Sequence, residues 1–108
     1  KHPKPEHISS SALLILYKDH QQWFPLLDHF EIGSRHCRND QDKLTLPFDD
    51  ASGLSGLHAT ITQKENHFIF QDQHSTNGSK VNGIKLNSVF LEDKDLLQLG
   101  RVIMIFRA

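Results

Sequence analysis

Residues 74–86 read HSTNGSKVNGIKL. The second half, SKV-NG-IKL, places an Asn-Gly pair between two short apolar-polar runs. Asn82 and Gly83 both tolerate the positive φ of a type I′ turn, so this half reads as a two-residue β-hairpin. Across it Val81 faces Ile84 and Ser79 faces Leu86, with Val81 and Ile84 on one side of the ribbon. The first half, HSTNG, follows the strand-like HFIFQD and ends at Gly78. Ser75 and Thr76 offer hydroxyls, and the Asn77 amide can both donate and accept. Two readings stand side by side: a turn in which Ser75 and Asn77 bond their own backbone, or a loop that binds a ligand.

The hairpin's rhythm extends over the rest of the chain. Turn formers recur about every eight to twelve residues between short runs of Ile, Leu, Val and Phe, the spacing of an all-β sandwich or barrel. Strands are expected at 11–17, 23–27, 30–33, 43–46, 57–62, 67–72, 79–81, 84–86, 95–100 and 102–107. No long window carries helical periodicity with caps. Leu57, Ala59 and Ile61 alternate with His58, Thr60 and Thr62, giving one apolar and one wet face. VIMIF (102–106) lacks alternation and reads as buried on both faces. Phe30, Phe48, Phe68, Phe70, Phe90 and Phe106 are expected in the core, and Trp23 over a sheet edge. KHPKPEHI (1–8) reads as a flexible lead-in to one domain spanning 9–108.

Composition narrows the function classes. The 108 residues carry 12 basic against 13 acidic side chains. That balance argues against nucleic acid or an anionic membrane surface as partner. No apolar run approaches the roughly 20 residues that span a bilayer. The single cysteine, Cys37, forms no internal disulfide and suits a reducing, intracellular and cytoplasmic setting. Eight histidines show no HxxxH or CxxC spacing, so no metal and no cofactor is expected. Ser55 and His58 in GLSGLHATI invite a hydrolase reading. However, no third partner and no GxSxG elbow accompany them, and the chain is not expected to be an enzyme.

Four motifs in order, FEIGS (30–34), SGLH (55–58), STNG (75–78) with VNG (81–83), and LEDKDLLQLG (91–100), resemble those of a forkhead-associated domain. The resemblance covers the chain from about residue 12 to its end. It implies a β-sandwich of two antiparallel sheets with about eleven strands, recognition loops gathered at one end, and an adaptor that binds phosphothreonine in partner proteins. Carried over by position, Ser55 donates to the phosphate with Gly56 supplying backbone, Ser75 and Thr76 offer hydroxyls on the neighbouring loop, and Asn77 holds the peptide main chain. His58 braces the loop, while Gly33 and Gly78 shape its turns. A phosphothreonine carries about −1.5 to −2 charge and three strong acceptor oxygens, which convergent hydroxyls and amides satisfy.

One departure matters most. The family's phosphate-binding arginine should follow Gly33, and that position is Ser34, with Arg35 one residue later. Arg35, Arg38 and Lys43 are the candidates for supplying the charge. Gly56 stands where a further basic residue is usual, the 34–55 stretch is long, and Lys94 replaces a turn glycine. These departures imply weakened phosphate binding. The alternative is a phosphate-independent interaction or self-association domain of the same fold.

Overall fold

The computed structural model describes residues 2–35, 37–39, 43–44 and 48–108, with Lys43 and Leu44 as backbone alone. Twelve strands run through the described residues: β1 (Ala12–Tyr17), β2 (His20–Pro25), β3 (His29–Ile32), β4 (Cys37–Arg38), β5 (Lys43–Leu44), β6 (Ala59–Lys64), β7 (His67–Asp72), β8 (Ser79–Val81), β9 (Ile84–Lys85), β10 (Ser88–Phe90), β11 (Leu96–Leu99) and β12 (Val102–Arg107). They form two six-stranded sheets. The first has the order β2-β1-β12-β11-β8-β9 and the second β10-β7-β6-β3-β4-β5. Every pairing is antiparallel. The all-β sandwich expected from the sequence is the observed fold.

Alternating apolar residues from both sheets meet in one core. Leu13, Ile15, Met104, Phe106, Leu97 and Leu99 of the first sheet close on Phe30, Ile32, Ile61, Phe68 and Phe70 of the second. Phe24 crosses Phe30 edge-on at 4.8 Å, and Phe68 meets Phe106 at 5.6 Å. Burying each such side chain contributes roughly 1.5–3 kcal/mol. The Asn82-Gly83 turn has positive φ at both residues, as a type I′ hairpin requires, and Val81 pairs with Ile84.

Several expectations need correction. VIMIF is not buried on both faces: Val102, Met104 and Phe106 point inward, whereas Ile103 is 37% exposed and Ile105 half-buried. Phe90 is 61% exposed. On β10 it is Val89 that pairs with core Phe70, so alternation turns Phe90 outward against the edge of the His67 ring. Phe48 packs against the core only in part. In the 57–62 run the wet face fails at its start, because His58 and Thr60 are buried while Leu57 is exposed. Thr60 is closed over by Gln73, whose Nε2 donates to its hydroxyl at 3.1 Å. The strand expected at 43–46 is seen at 43–44, and residues 45–46 lie outside the described residues.

Residues preceding β1 are joined to the first sheet. Lys4 Nζ donates to the carbonyls of Ser10 and Ala108 at 2.8 and 3.0 Å, and Arg107 Nη1 to that of His2 at 2.6 Å. Trp23 is half-buried on the edge strand β2, beside Pro5 and Ile8.

Candidate functional site

Four connections meet at one end of the sandwich: 33–35, 53–58, 73–78 and the Gly100-Arg101 turn. They join because each borders a strand whose register is fixed by the core, so their backbone groups arrive at set positions. Ser34 N donates to Ser55 O at 3.0 Å, and His58 N to Ile32 O at 2.8 Å. Thr76 N donates to Ser55 Oγ at 2.9 Å, and Asn77 Nδ2 to Gly53 O at 2.8 Å. Arg101 N donates to Ser52 O at 2.7 Å. Gly100 lies so close beneath this loop that a Cβ there would come within 2.4 Å of Ser52 O, and its φ is +58°.

His58 is wholly buried at the centre of this arrangement. Its Nδ1 accepts the N–H of Ser55 at 3.1 Å, which fixes the proton of the neutral ring on Nε2. That N–H donates to Gly78 O at 2.8 Å. One imidazole thus ties the Ser55 loop to the Gly78 loop. It meets the backbone of Ser55 rather than its hydroxyl, so the pair lacks the contact through which a histidine activates a serine nucleophile. Cys37 lies buried on β4, and its thiol is pushed up to about 12 by burial, against a small lowering by the Gly33 backbone. It is a poor nucleophile.

Asp72, at the end of β7, carries the second brace. It accepts Ser75 N at 3.0 Å, Ser75 Oγ at 2.5 Å and Ser79 Oγ at 2.6 Å, with His58 Nε2 3.8 Å away. Burial pushes its carboxyl up, but the hydrogen bonds from Ser75 and Ser79 outweigh that and hold it below the ordinary value. The Ser75 hydroxyl is therefore engaged within the loop. The role of Asp72 was missed from the sequence, where it reads only as the polar end of a strand.

The remaining predicted residues are distributed as follows. Ser55, Gly56, Thr76 and Asn77 lie together, with Gly56, Thr76 and Asn77 exposed and Ser55 half-buried. Gly33 is buried, and Ser34 reaches the cluster through its backbone. Arg35 is exposed and lines a cleft with Ser34, Phe48, Asp49, Asp50 and Leu54. The Asp49 carboxylate accepts from Tyr17 and, at 2.6 Å, from Lys18. Arg38 is paired with Glu31 across β3 and β4 at 3.3 Å. The Lys43 side chain lies outside the described residues. On the first-sheet side, a groove of about 530 Å³ runs past Asn77 and Gly78 to Lys80, Gln98 and Arg101. Among the described residues no group of three His, Cys, Asp or Glu side chains is arranged to hold a metal ion.

A family model described as FHA domain matches residues 30–100. No curated protein matches the chain. Among solved structures, it is similar to the FHA domain of the CT664 protein from Chlamydia trachomatis, at 22% identity over 93% of this chain and 98% of that one, with a TM-score of 0.72. It is also similar to the FhaA FHA domain solved in complex with the intracellular domain of Rv3910, at 26% identity over 91% and 100% of the two chains, TM-score 0.71. A third similar chain was solved in work on phosphothreonine-dependent FHA domain interactions, at 25% identity over 90% and 96%, TM-score 0.65.

Proposed function

This chain belongs to the FHA domain family, and from that premise we propose that it is an adaptor module that binds phosphothreonine-containing peptides of partner proteins. The observation that carries the reading is the hydrogen bond from Thr76 N to Ser55 Oγ at 2.9 Å. It sets the Ser55 hydroxyl against the backbone of Thr76, a residue of a separate loop, at the exposed rim, on a scaffold braced by buried His58 and by Asp72. Ser55 and Thr76 supply hydroxyl donors to the phosphate, Gly56 a backbone N–H, and Asn77 its amide oxygen for the peptide main chain. Rigidly held donors of this kind meet a doubly negative group with little reorganisation.

The affinity is reduced by the absence of an arginine after Gly33. A hydrogen bond to a charged group is worth roughly 1.5–3 kcal/mol, so binding is weaker by about ten- to a hundredfold than with that arginine in place. Arg35 is the exposed cation nearest to Ser34 in sequence, whereas Arg38 is already paired with Glu31. The test is calorimetric titration with one peptide in phosphorylated and unphosphorylated form, repeated on Ser34→Arg. The phosphorylated peptide alone should bind, and Ser34→Arg should tighten it. Association unchanged by phosphatase treatment would favour the phosphate-independent alternative and overturn this reading.

A further inference from the structure

We propose that the groove on the first-sheet side of the site accepts a second anionic group of the same peptide, a carboxylate or a second phosphate, through Lys80, Lys85 and Arg101. The inference rests on the phosphothreonine reading and specifies which peptides that site prefers.

Three observations carry it. First, the hairpin register sets Lys80 directly opposite Lys85, and Lys80 is opposite Gln98 on its other side. Ser79 and Val81 point into the core, so Lys80 and Lys85 share the outward face. Like charges directly opposed in a sheet are destabilising, and an anion between them reverses the sign of that interaction.

Second, the Lys85 side chain does not extend away into solvent. A Cβ placed on Gly78 would come within 2.9 Å of Lys85 Cε and 3.4 Å of its Nζ. The lysine therefore lies across the glycine that directly follows Asn77, with its ammonium beside the recognition loop. Gly78 leaves the space that this requires.

Third, these charges are available. Lys18 and Arg38 are paired with Asp49 and Glu31. Among the described residues Lys80, Lys85 and Arg101 are in no ion pair, and the one carboxylate in the groove wall is Asp50. Arg101 is anchored by its backbone to Ser52 and lines the groove together with Lys80. Three positive charges, unpaired among the described residues, thus border this groove and its glycine. Their extent suits one or two anionic side chains. A nucleic acid needs a longer basic stripe, and the chain as a whole carries a net charge of −1.

The experiment titrates the full chain with four versions of one peptide: phosphothreonine with neutral flanks, phosphothreonine flanked by glutamates, phosphothreonine with a nearby phosphoserine, and the glutamate peptide without phosphate. Three exposed pairings of this kind raise affinity by about fivefold to tenfold, so the glutamate and phosphoserine peptides should each bind that much more tightly than the neutral one. The two arms separate carboxylate from phosphate as the source of charge. The Lys80→Ala/Lys85→Ala/Arg101→Ala variant should lose that gain, as should the parent chain in high salt. Equal affinity for neutral and anionic flanks, or a gain that survives in the triple variant, overturns the inference and leaves the phosphothreonine reading standing. Tighter binding of a fluorescent oligonucleotide through the same three residues overturns it as well. If phosphate makes no difference in any arm, it is the underlying reading that fails.

Discussion

The backbone N–H of Thr76 donates to Ser55 Oγ at 2.9 Å, so the hydroxyl proposed to meet the phosphate is also the clasp between two loops. A hydroxyl can accept and donate at once, so accepting from Thr76 N leaves this one its hydrogen to donate. Ser55→Ala removes both functions. It should weaken phosphopeptide binding by about tenfold or more and lower stability by about 1 kcal/mol. Thr76→Val keeps the backbone clasp and removes only a side-chain hydroxyl, so affinity should fall while the melting temperature holds. Calorimetry and thermal denaturation of the two variants separate these effects.

Gly100 tests whether the turn between β11 and β12 positions the site. An added methyl would meet the Ser52 carbonyl at 2.4 Å and the Gly53 backbone at 2.8 Å, at a φ of +58°. Backbone cannot give way as a side-chain tip can, so Gly100→Ala should cost about 2 kcal/mol or more. Affinity should drop with it, because Gly53 O holds Asn77. Gly56→Ala is the control: a methyl added there would meet nothing within 4 Å, and the variant's stability should match the parent. Urea denaturation curves of the pair are the measurement.

Acid should loosen the braces before it affects the core. Asp72 has its folded pKa held below the ordinary 3.8, with burial opposing the shift and the Ser75 and Ser79 hydrogen bonds producing it. Asp49 is lowered to about 2, first by Lys18 and then by Tyr17. For groups depressed in the folded state, the stabilisation is complete above the unfolded pKa and lost as pH falls through the folded one. Urea midpoints should therefore be level above the ordinary carboxylate range and decline from near pH 4 towards pH 2. Asp72→Asn should start lower and show a shallower decline.

Cys37 provides a probe of global opening. Burial holds the thiol up at about 12, and only the thiolate reacts at a useful rate. Iodoacetamide should leave the native chain unlabelled at neutral pH and label it fully in denaturant. Fast native labelling would mean that β4 opens on its own.

Much of this architecture was legible because it is local. The run HFIFQD marked β7 over its full extent, 67–72, and Asn82-Gly83 fixed a hairpin whose register follows from the turn. The observed pairing of that hairpin opposes Lys80 to Lys85. What could not be read was their approach to Gly78 and Arg101, which depends on β8 pairing with β11 across the fold. β4 and β10 were missed for a related reason. They are two and three residues long and owe their extended backbone to the strands they pair with, not to an apolar pattern of their own. VIMIF misled because Ile103 and Ile105 are apolar on the outward face, where residue type no longer reports direction. His58 was expected to brace its loop, but its complete burial and its two specific partners, Ser55 N and Gly78 O, arise from loops that meet only in the folded chain.

The most direct measurement of the central claim is the affinity of one threonine peptide in phosphorylated and unphosphorylated form for the parent chain and for Ser55→Ala. The phosphorylated peptide should bind the parent measurably, the unphosphorylated form should not, and Ser55→Ala should lose about tenfold or more of the affinity. Equal binding of both peptides, indifferent to Ser55, would contradict it.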